Sequence, residues 1–315
     1  MGESVLVTGG CGFIGSHLVR ALVETGARVR VLDDLSSGKR ENLDGVLERV
    51  ELLRDDLRDP AACKRAVQGT STVFHQGAVP SVPRSVAEPE RTFQVNVAGS
   101  HQLFLAAREA KVRRLVMASS SSVYGDQPTL PKHEDMAPQP ASPYAAHKLA
   151  MEQLGMAFSR SLGLECVALR YFNVYGPRQD PTSAYAAVVP AFAAHLLQGE
   201  PPLIHGDGQQ TRDFTWVGDV VRANVLAARA PRAAGEVMNV AGGRRISILE
   251  LYRLIAQAVG RPELAARHGP PRAGDVRDSL ASIDKAERLL GWRPEMTLAE
   301  GIRLTVEALR RTRPA

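Results

Sequence analysis

The sequence predicts an α/β protein with a doubly wound parallel sheet and a smaller α/β domain beside it. In the first two thirds of the 315-residue chain, short β-branched runs alternate with amphipathic stretches. A glycine-rich loop joins the first strand to the first helix, and proline and glycine become denser after about residue 175. Regular alternation of strands and helices is typical of a parallel sheet that is covered on both faces and connected by right-handed crossovers.

The first domain is predicted from short apolar runs that read as buried strands. These runs are Ser4–Val7, Arg28–Leu32, Val50–Leu53, Thr72–His75, Arg114–Ala118 and Cys166–Arg170. Between them, apolar residues recur at helical spacing. The helices predicted from this spacing are Ile14–Thr25, Pro60–Val67, Glu90–Ala110 and Pro143–Leu162.

The second domain is predicted from helical stretches with few strands. The helices are Ala184–Gln198, Ser247–Val259, Ile283–Leu290 and Leu298–Arg310, and the strand candidates are Pro202–His205 and Glu236–Val240. We expect residues 1–175 and about 217–245 to form the first domain. Residues from about 176 to 216 and from 246 to 315 would form the second.

Composition excludes several classes of function. No apolar run approaches the roughly 20 residues of a membrane span, and the N-terminus enters a strand without a signal-like segment. The three cysteines form no CxxC pair, which argues against a disulfide framework and a structural metal site. The net charge of +5 comes from scattered arginines, which does not indicate nucleic-acid binding. We therefore expect a cytoplasmic protein that binds no membrane, nucleic acid or metal.

The glycine loop predicts a dinucleotide site. Gly10, Gly12 and Gly15 satisfy GxGxxG, and Gly9 begins an overlapping GxxGxxG. Side chains at these positions would keep the backbone away from a pyrophosphate, which the N-terminus of the following helix would bind. Because a strand precedes the loop and a helix follows it, the motif indicates dinucleotide binding more strongly than an ordinary turn.

Acidic residues after the second and third strands favour NAD over NADP. Asp33 follows the second strand, where a carboxylate accepts hydrogen bonds from ribose hydroxyls and repels a ribose phosphate. Asp34 is expected to lie next to this ligand rather than to bind the ribose itself. Asp56 and Leu57 follow the third strand and could reach the adenine, although an aspartate there could equally cap the helix that begins at Pro60.

A Ser/Tyr/Lys set predicts proton-transfer chemistry. Ser119–Ser122 follow the fifth strand, at the edge of the sheet where ligands bind. Tyr144 and Lys148 are four residues apart, so they share a helix face. An adjacent cation favours the phenolate, which would lower the pKa of Tyr144 and make it a general base near neutral pH.

At this point the chain resembles the extended short-chain dehydrogenase/reductase family, and within it the UDP-hexose 4-epimerases. The resemblance runs nearly end to end. It is carried by TGGCGFIGSHL, LDDLSSG, SSSSVYG, SPYAAHK, RYFNVYGPRQ, TRDFTWVGDV and RAGDVRDS. It implies a Rossmann fold, a UDP-sugar substrate and reversible oxidation at carbon 4 of the sugar.

The resemblance also implies roles for individual residues. Ser120, Tyr144 and Lys148 would be the catalytic residues, and Lys148 would also bind the nicotinamide ribose. The cofactor ligands would be Gly9, Gly12, Phe13, Ile14, Gly15, Asp33, Asp56, Leu57, Gln76, Ala78, Asn96, Tyr144 and Lys148. The substrate ligands would be Ser81, Ser121, Ser122, Asn173, Val188, Leu203, His205, Arg212, Arg272, Asp275 and Ser279.

Among related enzymes, the residues after Ser120 favour epimerisation. Nucleotide-sugar 4,6-dehydratases have Asp-Glu there and UDP-glucuronate decarboxylases have Glu, whereas this chain has Ser121 and Ser122. A UDP-glucuronate 4-epimerase or another nucleotide-sugar enzyme of the family is an alternative. A non-catalytic NAD-binding sensor is a further one, which the complete Ser/Tyr/Lys set disfavours.

Two departures from the family pattern bear on ligand binding. Pro80 stands where many UDP-glucose epimerases have a lysine, and Arg84 or Ser81 could replace that phosphate contact. Ser279 stands where strict UDP-galactose enzymes have a bulky aromatic residue, so we expect room for a 2-acetamido group. The family also implies a homodimer, formed through the helices at Glu90–Ala110 and Pro143–Leu162.

Overall fold

The structure, a computed structural model, describes residues 3–181, 187–271 and 277–312. Its strands are β1 (Ser4–Thr8), β2 (Arg28–Leu32), β3 (Val50–Leu53), β4 (Thr72–His75), β5 (Arg114–Ser120), β6 (Glu165–Tyr171), β7 (Val174–Tyr175), β8 (Leu203–His205), β9 (Thr211–Asp213), β10 (Thr215–Trp216), β11 (Glu236–Val240), β12 (Arg245–Ser247) and β13 (Arg267–Gly269). Within these ranges, seven parallel strands form the main sheet in the order β11-β6-β5-β4-β1-β2-β3.

The helices cover both faces of this sheet. They are α1 (Phe13–Glu24), α2 (Pro60–Val67), α3 (Val82–Ala87), α4 (Pro89–Phe93), α5 (Ser100–Glu109), α6 (Pro143–Leu162), α7 (Val188–Gln198), α8 (Val217–Arg229), α9 (Ile248–Val259), α10 (Asp284–Leu290) and α11 (Leu298–Thr312). A π-helical turn, Gln94–Gly99, joins α4 to α5. The predicted doubly wound α/β fold is confirmed.

Alternate residues of the central strands are buried on opposite faces of the sheet. Val5 and Val7 of β1 pack in the core beneath α1 and α8, whereas Leu6 packs in the core beneath α2, α5 and α6. Because both faces are buried, the strands are continuous apolar runs rather than alternating ones. The strand order reverses between β1 and β4, which leaves a crevice at their carboxyl ends where ligands of such sheets bind.

A separate core joins α7, α9 and α11 outside the main sheet. It contains Phe192, Ile255 and Ile302 from these helices and Tyr175 from β7. Short strand pairs flank it: β8 pairs with β13 in parallel and β9 pairs with β12 antiparallel. Strand β7 follows the carboxyl end of β6 and pairs with β10, and its Tyr175 connects this core to the main sheet.

The structure differs from the predicted elements in a few places. Strand β5 extends to Ser120, two residues beyond its predicted end. The α8 segment was not predicted as a helix because its valine-rich sequence has strong β propensity, which packing against α1 overrides. The predicted helix Ala184–Gln198 begins at Val188, and residues 184–186 lie outside the described residues. In the described parts of the chain, no helix is long and apolar enough to cross a membrane.

Candidate active site

A cavity of about 1160 Å³ lies at the crevice between β1 and β4. It extends from the acidic residues after β2 to the first turn of α6. Of the predicted cofactor ligands, its walls include Gly9, Gly12, Phe13, Ile14, Gly15, Asp33, Asp56, Leu57, Gln76, Ala78, Tyr144 and Lys148. The structure therefore brings together residues that are more than 130 positions apart in the chain.

The glycine loop forms one wall of the cavity by close backbone contacts. A Cβ on Gly15 would lie 2.1 Å from the Gly9 carbonyl oxygen, and one on Gly9 would lie 2.7 Å from the Gly77 backbone. Gly9 also has φ +66°, which an L side chain rarely adopts. Helix α1 begins after Gly12 without a side-chain cap and without an acidic residue in its first turn. Its free N–H groups thus face the cavity as an anion site, and this arrangement fits the diphosphate of a dinucleotide.

The acidic side chains after β2 and β3 lie at one end of the cavity. The Asp33 carboxylate is buried and accepts the N–H groups of Cys11 and Leu35, each at 2.9 Å. Burial raises the pKa of Asp33, and these two hydrogen bonds oppose that shift. Asp56 pairs with Arg58 at 2.5 Å and does not cap α2, whose cap is the Asp59 side chain. Asp33 is therefore held in a fixed orientation at the position where a ribose ligand is expected.

Asn96 lies beside the cavity rather than on its wall. The side-chain oxygen accepts the Val79 N–H at 2.7 Å, and its amide donates to the Val79 carbonyl at 3.2 Å. This side chain is buried in the π-helical turn. Both polar groups of Asn96 thus hold the 76–80 loop, and its contact with the cofactor stays a prediction.

Ser120, Tyr144 and Lys148 converge where β5 meets the first turn of α6. The Ser120 oxygen accepts the Ser122 N–H at 3.2 Å and the Ser122 hydroxyl at 2.9 Å. Its own hydroxyl hydrogen is thereby left free to turn toward the Tyr144 phenol, and the proximity of Ser120 lowers the pKa of Tyr144. The Tyr144 N–H donates to the Ser85 hydroxyl at 2.9 Å, so α3 fixes the start of α6.

The predicted effect of Lys148 on Tyr144 is wrong for the protein alone. Burial raises the pKa of Tyr144 to about 12, and it lowers the pKa of Lys148 to about 8. The Lys148 ammonium donates to the Ala118 carbonyl at 2.8 Å and lies 6.0 Å from the centre of the Tyr144 ring. Desolvation therefore outweighs the attraction between these two groups.

A buried ion pair lies behind this set and was not predicted. Arg170 of β6 donates to both oxygens of Glu152 of α6, at 2.7 and 3.0 Å, and the Ser119 hydroxyl donates to the same carboxylate at 2.8 Å. The Arg170 guanidinium also lies 4.7 Å from the centre of the Tyr124 ring. The pair joins β6 to α6, and the Ser119 hydrogen bond adds β5, so these contacts hold the elements that contain Ser120 and Tyr144 together. Arg170 lies in the RYFNVYGPRQ motif and Glu152 in the predicted helix Pro143–Leu162, but no sequence pattern indicates that the two side chains form a pair.

The predicted substrate ligands lie on several elements. Ser81 lines the cavity and caps α3 by accepting the Arg84 N–H at 3.1 Å. Ser121 and Ser122 follow β5 in a 3-10 turn. Asn173 is exposed between β6 and β7, and its amide donates to the Asp213 carbonyl at 2.8 Å.

The remaining predicted ligands belong to the second core or to its loops. Val188 begins α7, and the β8 strand contains both Leu203, which is 45% exposed, and His205. Arg212 lies on β9 and donates to the Thr211 carbonyl at 2.8 Å. The Ser279 N–H donates to the carbonyl of that same Thr211 at 3.1 Å. Arg272 and Asp275 lie outside the described residues.

The comparisons with known proteins agree with this geometry. The model of the NAD dependent epimerase/dehydratase family matches residues 5–241. A UDP-glucose 4-epimerase from Mycolicibacterium smegmatis is 44% identical over 97% of this chain and 98% of its own.

Two solved structures are also similar over nearly the whole chain. One is a UDP-N-acetylglucosamine 4-epimerase from Methanobrevibacter ruminantium in complex with UDP-N-acetylmuramic acid, with TM-score 0.95, 40% identity and coverage of 99% of this chain and 100% of that one. The other is a Thermus thermophilus UDP-glucose 4-epimerase in complex with NAD, with TM-score 0.89, 40% identity and coverage of 98% and 100%.

Proposed function

The chain belongs to the NAD dependent epimerase/dehydratase family, and on that premise we propose that it interconverts UDP-hexoses that are epimers at carbon 4, with NAD as cofactor. The observation that carries the proposal is that Ser120, Tyr144 and Lys148 converge where β5 meets α6, with Tyr144 and Lys148 in the wall of a cavity built around an uncapped glycine loop. The residues next to Ser120 are serines, which do not supply the extra acid and base that elimination of water needs.

The cofactor would be held by residues of the first domain, 1–175 and about 217–245. The glycine loop and first turn of α1 would bind its diphosphate, and Asp33 its adenosine ribose. Asp56 and Leu57 would lie against the adenine, while Lys148 would reach the other ribose. Bound NAD supplies a reversible hydride acceptor for carbon 4 of the sugar.

Tyr144 would move the proton of the sugar's 4-hydroxyl. Its oxygen takes that proton during oxidation and returns it after the sugar has turned its other face to the same groups. The Ser120 hydroxyl holds the reacting oxygen and stabilises the phenolate by its hydrogen bond. With a pKa of about 8, the Lys148 ammonium is still charged at neutral pH, so it can stabilise the phenolate once the site is filled.

The UDP moiety would lie toward the second domain, about 176–216 and 246–315. We assign the diphosphate to Arg212 and Arg272, because a guanidinium fork binds phosphate oxygens in pairs. Asn173 would contact the sugar diphosphate and Asp275 the uridine ribose. Strand β8, with Leu203 and His205, would lie against the uracil, with Val188, Ser81, Ser121 and Ser122 around the sugar.

Ser279 would leave room for a 2-acetamido group, so UDP-GlcNAc and UDP-GalNAc should be substrates as well as UDP-Glc and UDP-Gal. One of the similar solved structures is a UDP-N-acetylglucosamine 4-epimerase, which supports this choice. Replacing Ser279 by tyrosine should abolish turnover of the N-acetyl sugars and spare UDP-Glc. Equal turnover of both sugars by that variant would contradict the pocket argument.

The direct test is to incubate the purified protein, without added cofactor, with UDP-Glc and separately with UDP-GlcNAc, and to follow the products by NMR. Formation of the 4-epimers is expected, because a cavity of about 1160 Å³ with these lining residues should retain NAD. Absence of product from both sugars, even after NAD is added, would refute the proposed activity. Turnover of UDP-glucuronate alone would then identify the substrate as a uronic acid.

We also propose a cytoplasmic homodimer that uses the surface of α4, α5 and α6. Phe93 on α4 is 42% exposed, and the apolar Val86 on neighbouring α3 is 64% exposed, so a partner would bury them. The three cysteines are unpaired and buried, in keeping with a reducing compartment. Light scattering after gel filtration should give twice the chain mass for the protein and a lower mass for Phe93→Glu.

A further inference from the structure

A segment after β7 forms part of the cavity wall. Residues 177–181 line the cavity together with the acidic residues after β2, and contacts with three elements hold them there. The Pro177 carbonyl accepts a hydrogen bond from His17 Nε2 at 2.9 Å, and Gln179 donates to the Val174 carbonyl at 3.2 Å. Lys39 pairs with Asp180 at 3.3 Å. The segment is thus fixed between α1, β7 and the loop after β2.

This segment presents Arg178, which has no carboxylate partner among the residues that the structure describes. Its Nη2 donates to His17 Nδ1 at 2.9 Å, and its Nε is buried with no hydrogen-bond partner in the described residues. No carboxylate in the described ranges forms an ion pair with it, whereas Lys39 and Arg58, two other cations of the cavity wall, are each paired with an aspartate. Desolvation and the nearby Arg20 lower the pKa of Arg178 to about 10, so the guanidinium remains charged at neutral pH.

His17 holds this guanidinium as a neutral ring. Since Nδ1 accepts from Arg178, Nε2 must carry the proton that is donated to the Pro177 carbonyl. Burial lowers the pKa of His17 to about 4, in agreement with this single tautomer. The ring of His17 also packs edge-on against Phe13, in the first turn of α1. Arg178 is thereby fixed beside the same helix N-terminus that faces the cavity.

A partly buried cation without a counter-ion is costly unless a ligand supplies the anion. Gly12, Phe13 and Arg178 line one continuous cavity, so an anion at the N-terminus of α1 would lie beside the guanidinium. Pro80 offers no cation from the 76–80 loop, whereas Arg84 of α3 also lines the cavity.

On the basis of the proposed function, we propose that Arg178, oriented by His17, binds the diphosphate of the dinucleotide cofactor. The diphosphate of the UDP-sugar is the alternative ligand, because it carries the same negatively charged oxygens. We favour the cofactor because Arg178 contacts α1, whereas the predicted UDP ligands lie on β8, β9 and their neighbouring loops.

The test compares Arg178→Gln with a control variant, Arg303→Gln. Arg303 is an exposed arginine of α11 that pairs with a glutamate, so the control removes the same charge at a site away from the cavity wall. Each protein is stripped of cofactor, and its affinities for ADP-ribose and adenosine are measured by calorimetry. Affinity for UDP is measured on the NAD-loaded form. Arg178→Gln should weaken ADP-ribose binding roughly 10- to 100-fold, as expected for a lost charged hydrogen bond, and leave adenosine and UDP unchanged. Arg178→Lys should restore part of the loss, and Arg303→Gln should bind all three ligands as the unmodified protein does.

Three outcomes would overturn the assignment. Weaker UDP binding with unchanged ADP-ribose binding would place Arg178 on the substrate diphosphate. Equal weakening of ADP-ribose and adenosine would show a structural role only, and unchanged ADP-ribose binding would show no role. These binding measurements are independent of the epimerisation test described above. If ADP-ribose binding requires Arg178 but the protein epimerises no UDP-sugar, the proposed function is refuted and the assignment of Arg178 still holds.

Discussion

The ion pair between Glu152 and Arg170 allows a quantitative prediction for Glu152→Gln. The Glu152 carboxylate is fully buried, Arg170 is 3% exposed, and Arg170 Nη1 already lacks a hydrogen-bond partner in the described residues. The carboxylate accepts two hydrogen bonds from the guanidinium and one from Ser119. An amide in its place keeps a single acceptor atom and removes the only charge that compensates the guanidinium in this set of contacts.

Breaking one side of a buried pair in this way costs about 3–5 kcal/mol of unfolding free energy. Urea unfolding, followed by the fluorescence of the buried Trp292 and by circular dichroism, measures this cost. The matched control is Glu51→Gln, which removes the same charge from a pair with Arg30 in which the glutamate side chain is 56% exposed. That variant should lose less than about 1 kcal/mol.

A cost for Glu152→Gln as small as that of Glu51→Gln would refute the reasoning. A double variant, Glu152→Leu with Arg170→Met, separates charge from packing because it removes both partners. It should recover most of the lost stability, since apolar residues of similar volume often replace a buried pair without loss. Ser119 would lose its acceptor in the double variant, so the activity of that variant should fall even though its stability is recovered.

Three further predictions concern the site itself. Tyr144→Phe should lower kcat by about 10²- to 10⁴-fold, with UDP affinity unchanged by calorimetry; a smaller loss would contradict its role as the base. The pKa of Lys148 is about 8 in the folded protein and 10.5 unfolded, so its charge destabilises the fold below pH 8, and stability rises with pH up to 10.5. Lys148→Met should therefore be more stable at pH 7 by up to about 3 kcal/mol, with the gap closing by pH 10.5 in urea titrations. Gly15→Ala would place a Cβ 2.1 Å from the Gly9 oxygen, and should weaken NAD binding at least roughly 10-fold in a fluorescence titration; unchanged affinity would refute the close-approach argument.

Much of the fold could be predicted because its signals are local. The apolar runs of β2, β3 and β4 end where the structure ends them, and the glycine loop lies between β1 and α1 as its spacing requires. The four-residue spacing of Tyr144 and Lys148 likewise sets them on one face of α6. These features depend on backbone sterics, burial periodicity and helix geometry, which neighbouring residues determine.

The contacts that give the site its electrostatics could not be predicted in this way. The Glu152–Arg170 pair joins a helix to a strand, and the partners of Arg178 lie about 160 residues away in α1. Sequence analysis also predicted a lowered pKa for Tyr144, because spacing alone reveals a neighbouring charge but not the burial that outweighs it.

The sequence by itself therefore determined the doubly wound fold and supplied the candidate residues for the dinucleotide site and for catalysis. Tertiary structure decided how deeply Tyr144 and Lys148 are buried, that Asn96 holds a loop, and that Arg178 lines the cavity with no carboxylate partner in the described parts of the chain. The physical reason is that desolvation and long-range hydrogen bonds depend on which segments the fold brings together, and no periodicity along the chain encodes that packing.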